Sequence, residues 1–164
     1  MVQAIEQFFL ETVGRHWCVF FCSLLPIIEL RGAIPLGAGL GLPFWQSYLI
    51  SIAGNMLPVP FILLMIRWVL EMMKKIRGLR KIALWVEAKA EKNRPKIEKY
   101  SFWGLMLFVA IPAPGTGAWT GSLVAALIRM DFKKAVLAVL LGVLTAGVVM
   151  TAISYGVVAI FQAV

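Results

Sequence analysis

The sequence predicts an all-α integral membrane protein, an inverted-topology repeat in which each half is a surface helix, a re-entrant broken hairpin and a full transmembrane helix. Three observations predict this. The 164-residue chain is 61% hydrophobic with mean hydropathy +0.88, whereas a soluble domain is about 45–50% apolar. Two apolar runs, 16–43 and 101–128, are interrupted by proline and glycine, while those at 44–70 and 135–162 read as full spans. The halves also match at an offset of 88 residues, pairing Phe20 with Phe108, Pro26 with Pro114, Ala38 with Ala126, Phe44 with Phe132, Leu49 with Leu137 and Gly54 with Gly142.

Residues 1–15 place Ile5, Phe8, Phe9 and Thr12 on one helical face, fit to rest on a membrane surface. Glu6 and Glu11 replace the basic stretch of a cleavable signal, so none is expected. Segment 16–43 holds Pro26, Glu29, Arg31, Gly32, Pro35, Gly37, Gly39, Gly41 and Pro43. Such a segment makes a poor continuous helix, and two half-length helices joined near mid-membrane fit it better. Segment 44–70 reaches roughly 40 Å as a helix, enough to cross with tilt. Gly54, Asn55, Pro58 and Pro60 interrupt its middle, and Arg67 and Glu71 form an expected interfacial pair. The sequence therefore divides into a first repeat over 1–70, a basic connector over 71–100 and a second repeat over 101–164.

The connector carries ten Lys/Arg and four Glu. Ile76, Leu79, Ile82, Ala83 and Val86 recur at helical spacing and Trp85 can anchor at the interface, which reads as a surface helix ended at Pro95. A basic excess bracketed by apolar spans marks a cytoplasmic loop of a multi-pass membrane protein and argues against nucleic-acid binding. Membrane lipids are its expected neighbours, with attraction to anionic lipid a secondary effect. The second repeat has its own break at 111–122. Loop 129–134 follows with net charge +2, placing Asp131 beside Lys133 and Lys134, and 135–162 is the final span. Because loop 41–46 is uncharged and loop 129–134 basic, the halves should enter from opposite sides, with both termini outside.

Glu29 and Arg31 are the main candidates for chemistry. A charge at mid-membrane costs roughly 2.5–3.5 kcal/mol on insertion scales, so such residues mark substrate paths or buried pairs. At i,i+2 they do not face each other on a regular helix, which implies irregular backbone or separate partners. Arg31 can hold an anionic head group such as phosphate by forked hydrogen bonds. Glu29 can be the proton-linked carboxylate, or the two can be a structural pair fixing the hairpin. The second break, containing Pro112, Pro114, Gly115, Thr116, Gly117 and Thr120, has no charge. It offers backbone N–H groups, hydroxyls and a half-helix N-terminus suited to anions, or close small-residue packing. Asn55 can line the path or bond the hairpin.

Cys18 and Cys22 share a helical face as packing residues, and the single histidine, His16, is read as interfacial. No metal site, cofactor or enzyme activity is expected, because no metal cluster, hydrolytic triad or phosphate-binding loop is present. With two spans and two hairpins the chain has little interior, so a homo-oligomer, at least a dimer, is expected.

Glu29-Leu-Arg-Gly-Ala-Ile-Pro35 and Pro112-Ala-Pro-Gly-Thr-Gly-Ala-Trp-Thr-Gly121 resemble motifs of the small multidrug export proteins of bacteria and archaea. That family is distantly related to the DedA/VTT membrane proteins. The resemblance covers essentially the whole chain. It implies two inverted re-entrant hairpins, an oligomer, and translocation of lipids such as undecaprenyl phosphate. It matches Glu29 and Arg31 to the acidic and basic hairpin residues of that superfamily, while the second hairpin here lacks the charges usual in DedA proteins. The leading expectation is proton-coupled transport of an anionic lipid or polyprenyl phosphate. The alternatives are efflux of lipophilic cations, a small-molecule substrate, and a non-transporting membrane scaffold.

Overall fold

Helix α1 covers the described residues 14–24 and stops where Pro26 denies the next turn its N–H. The computed structural model describes residues 14–98, 101–113 and 115–163, and among these every regular element is α-helical. The surface helix expected over 1–15 lies almost entirely outside them. The chain forms two compact units. One comprises residues 1–57 and 144–164, the other residues 58–143.

In the first unit a turn over residues 25–28 leads into α2 (Glu29–Gly39), and α3 (Phe44–Met56) follows. Pro35, one of the residues expected to interrupt segment 16–43, lies inside α2. Its ring already holds a helical φ, and the loss is the single bond its missing N–H would have made. Helix α2 ends in a Schellman motif. Gly41 at φ 72° donates to Ala38 and Leu42 donates to Gly37, at 3.1 and 3.0 Å. The core is Val19, Ala33 and Leu42, with Cys22, Leu40 and Ile50 packed against it. Two glycines set the spacing. A Cβ at Gly37 would run into the Ser47 side chain, and one at Gly54 into Ser23 Oγ and the Phe20 carbonyl. Helix α3 thus runs along the hairpin from α2 at one end to the last turn of α1 at the other.

The C-terminal part of the last helix completes this unit. Tyr48 donates to the Leu144 carbonyl at 3.2 Å, and its ring leaves no space for a Cβ at Gly147. Tyr155 donates to the Leu42 carbonyl at 2.7 Å and stands edge-on to Phe44.

The second unit opens with α4 (Pro58–Lys75), which begins on proline, where the missing N–H is not needed. Helix α5 (Arg80–Glu98) runs through Pro95 rather than ending there. Pro95 stands in the last turn, with three residues of helix beyond it. The side chains of Arg67 and of residues 93–98 lie outside the described set, and with them the expected Arg67–Glu71 pair. Lys74 pairs with Glu87, and Lys89 sits 5.3 Å over the Trp85 ring. Helices α6 (Ser101–Ala110) and α7 (Ala118–Leu127) flank the second break, and α5 packs against α4, α6 and α7. A Cβ at Gly121 would strike Val109 and Leu105 of α6, and one at Gly142 would strike Val109 and the Met106 carbonyl. Gly121 is therefore a packing glycine.

Helix α7 ends in a second Schellman motif, with Arg129 at φ 58° donating to Ala126 and Met130 to Ala125, at 3.2 and 2.9 Å. Helix α8 (Phe132–Ala163) starts three residues earlier than the sequence suggested. Asp131, expected simply in a loop beside Lys133 and Lys134, is its N-cap. It accepts the Lys134 N–H at Oδ1, 3.1 Å away. Stretches Phe44–Ile66 and Phe132–Phe161, of 23 and 30 residues, are each long and apolar enough to cross a bilayer.

Candidate functional site

Glu29 opens α2 with its backbone N–H bonded to the Leu25 carbonyl at 2.9 Å. Its φ is +51°, in the left-handed region that costs a non-glycine residue of order 1 kcal/mol or more. The side chain is only 4% exposed. Arg31, two residues on, is half-buried. The backbone at Glu29 is irregular, one of the two arrangements the i,i+2 spacing allows.

Asn55 belongs to the same unit and is fully buried. It is one of three polar residues, Ser47, Ser51 and Asn55, that recur every fourth residue on one face of α3, all 0% exposed. Ser47 donates to the Ile34 carbonyl of α2 at 3.3 Å and meets the Tyr155 hydroxyl. Ser51 Oγ and both amide atoms of Asn55 have no hydrogen-bond partner among the described residues. Buried polar atoms without partners cost about 1–3 kcal/mol each and mark places with a use beyond packing. Sequence reasoning singled out Asn55 but missed Ser47 and Ser51, although the four-residue spacing was visible.

The second break lies in the other unit. Pro112 is exposed, and Pro114 is outside the described residues. Gly115 and Gly117 take φ of 83° and 123°, which only glycine adopts at low cost, and Gly117 caps α7 without a side-chain bond. The Thr116 hydroxyl is held by its own loop, 2.7 Å from the Ile111 carbonyl and 2.8 Å from the Ala113 carbonyl. It braces the turn. Thr120 is half-buried in the first turn of α7.

Other candidates read from sequence fall into local roles. His16 bonds Gln46 at 2.8 Å and Arg15 reaches the Leu40 carbonyl, both at the loop end of the first hairpin. Cys18 and Cys22 are free thiols that contact each other. Among the described residues no group of three metal-ligating side chains gathers. A groove of about 490 Å³ lies on the first unit, lined by Phe44, Trp45, Tyr48, Leu49, Val148 and Thr151. It falls within the usual size of small-ligand sites.

Apolar helices of crossing length, with a buried carboxylate beside an arginine at a broken hairpin, define a helical membrane protein. Residues 29–149 match the family described as "Putative small multi-drug export protein", and the chain belongs to that family. No curated protein and no solved structure gave a match.

Proposed function

We propose that the protein is a transporter of the DedA-like superfamily, moving an anionic lipid or polyprenyl phosphate across the inner membrane with proton coupling. Arg31 holds the anionic group and Glu29 carries the proton. The observation that carries this is Glu29 itself, a carboxylate kept from water, in strained backbone, two residues from an arginine. Strain and a buried charge together are expensive, and they persist where a function uses them. The protein acts without chemistry on its substrate and assembles as a homo-oligomer, with residues 71–100 cytoplasmic.

The two hairpins are halves of an inverted repeat. Support comes from backbone features that recur at the sequence offset of 88. Positive φ stands at Glu29 and Gly117 and again at Gly41 and Arg129. The Schellman bonds of α2 recur at α7 residue for residue, and the first turn bonds of α3 (Ser47 to Pro43) recur at α8 (Ala135 to Asp131).

A second reading, export of lipophilic cations with Glu29 as counter-charge, is favoured by the apolar groove on the first unit and by the family's description. Reconstituted vesicles separate the two. Arg31→Ala is expected to abolish flipping of a fluorescent phosphate lipid, and Glu29→Gln to uncouple it from a pH gradient. If Arg31→Ala flips at the wild-type rate and Glu29→Gln stops uptake of a cationic dye, the second reading replaces the first. A scaffold would lose assembly in both variants and show no flux in the wild type.

A further inference from the structure

Two points pin α3 along the first hairpin. Gly37 of α2 lies against Ser47, and Gly54 lies against Ser23, at the last turn of α1 and just before the break that leads to Glu29. From the Gly37–Ser47 contact, eight residues back along α2 reach Glu29, and eight forward along α3 reach Asn55. Both are displacements of about 12 Å. Asn55 is therefore level with the hairpin break. Pro58 has no N–H, so it gives the Gly54 carbonyl no helical donor either.

The polar row changes along its length. At the loop end Ser47 is satisfied by Ile34 and Tyr155, and Tyr155 in turn reaches Leu42. Toward Glu29, Ser51 Oγ, Asn55 Oδ1 and Asn55 Nδ2 are buried without partners among the described residues. A guest for these atoms must both donate and accept. A metal cation would satisfy the two oxygens, but it would leave the Asn55 amide hydrogens unmet and stand near the Arg31 guanidinium. Water fits all of them, since a buried water makes about three hydrogen bonds of either sense.

We propose that Ser51 and Asn55 hold a file of ordered water that carries the proton to and from Glu29. This rests on the reading of Glu29 as the proton-linked carboxylate. Each water passes one proton on as it takes one from its neighbour. The Glu29 carboxylate gains one proton, the solvent loses one, and only O–H bonds change. The charged and titratable groups on the helices of this unit are Arg31 on α2, Cys18 and Cys22 on α1, Tyr48 on α3 and Tyr155 on α8, with Arg15 and His16 at the loop end of the hairpin.

Time-resolved infrared spectroscopy of the reconstituted full-length protein after a pH jump reads this without knowing the substrate. The carboxyl band removed by Glu29→Gln reports Glu29. Asn55→Leu, similar in size, and Ser51→Ala, a single-atom deletion, are each expected to slow the rise of that band about tenfold and leave its final amplitude unchanged. Ser51→Ala keeps the test valid if Asn55→Leu unfolds in a melting control. Unchanged rates in the folded variants would overturn the water file alone. Loss of the wild-type band on adding sodium at fixed pH would replace it with a cation site. A wild-type spectrum lacking any band sensitive to Glu29→Gln would overturn both the file and the role of Glu29.

Discussion

The two broken hairpins share a backbone plan and differ in what they place at the break. Each enters a ten- or eleven-residue helix through a residue with positive φ, and each leaves it by the same pair of reversed hydrogen bonds. In the first, the entry residue is Glu29, buried and charged. In the second it is Gly117, which bears the unusual φ at little cost. The flanking polar groups divide the same way. The first hairpin faces a row of buried hydroxyl and amide groups on α3, while in the second Thr116 is consumed by its own loop and Gly121 by packing on α6. One backbone plan thus carries a cluster of ionic and polar groups in the first hairpin, and a tight, uncharged turn in the second.

The comparison breaks most severely at the glycines that let a long helix touch its hairpin. Gly54→Leu and Gly142→Leu should each cost roughly 3 kcal/mol or more, because each meets a backbone carbonyl as well as side chains. Thermal unfolding in detergent should show both halves failing alike. The entry residues should respond unequally. Gly117, at φ 123° and ψ −176°, lies in a region closed to side chains, so Gly117→Ala should lower stability by about 2–3 kcal/mol. The smallest effect sharpens the match at the helix exits. Arg129 holds the left-handed φ that Gly41 supplies in the first copy. Arg129→Gly should therefore raise stability by up to about 1 kcal/mol in the same melting assay, whereas Gly41→Ala should lower it by a similar amount.

Much of this was legible in the sequence for physical reasons. Apolar composition and span length are summed properties, so the helical membrane class and the two crossing stretches could be read directly. Glu29 and Arg31 stood out because charge in an apolar run is costly wherever it lies. Proline was a weaker guide. Pro26 ends a helix, but Pro35 and Pro95 sit within helices, because the penalty is one hydrogen bond and depends on position. Asp131 was hidden among lysines, and its capping role appears only once the start of α8 is known. Ser47 and Ser51 escaped notice because serine in a membrane helix is common, and their meaning depends on which of them finds a partner. The left-handed φ of Glu29 has no signal in the sequence beyond its match to Gly117 at the repeat offset.

The central claim is that these two hairpins are inverted copies, entering the membrane from opposite sides. Single cysteines placed by Gly41→Cys and by Lys133→Cys, in a Cys18→Ser/Cys22→Ala background, test it in intact cells with a membrane-impermeant maleimide. The account predicts that Gly41→Cys is labelled from outside and Lys133→Cys only after the cells are opened. Labelling of both positions from the same side would contradict it.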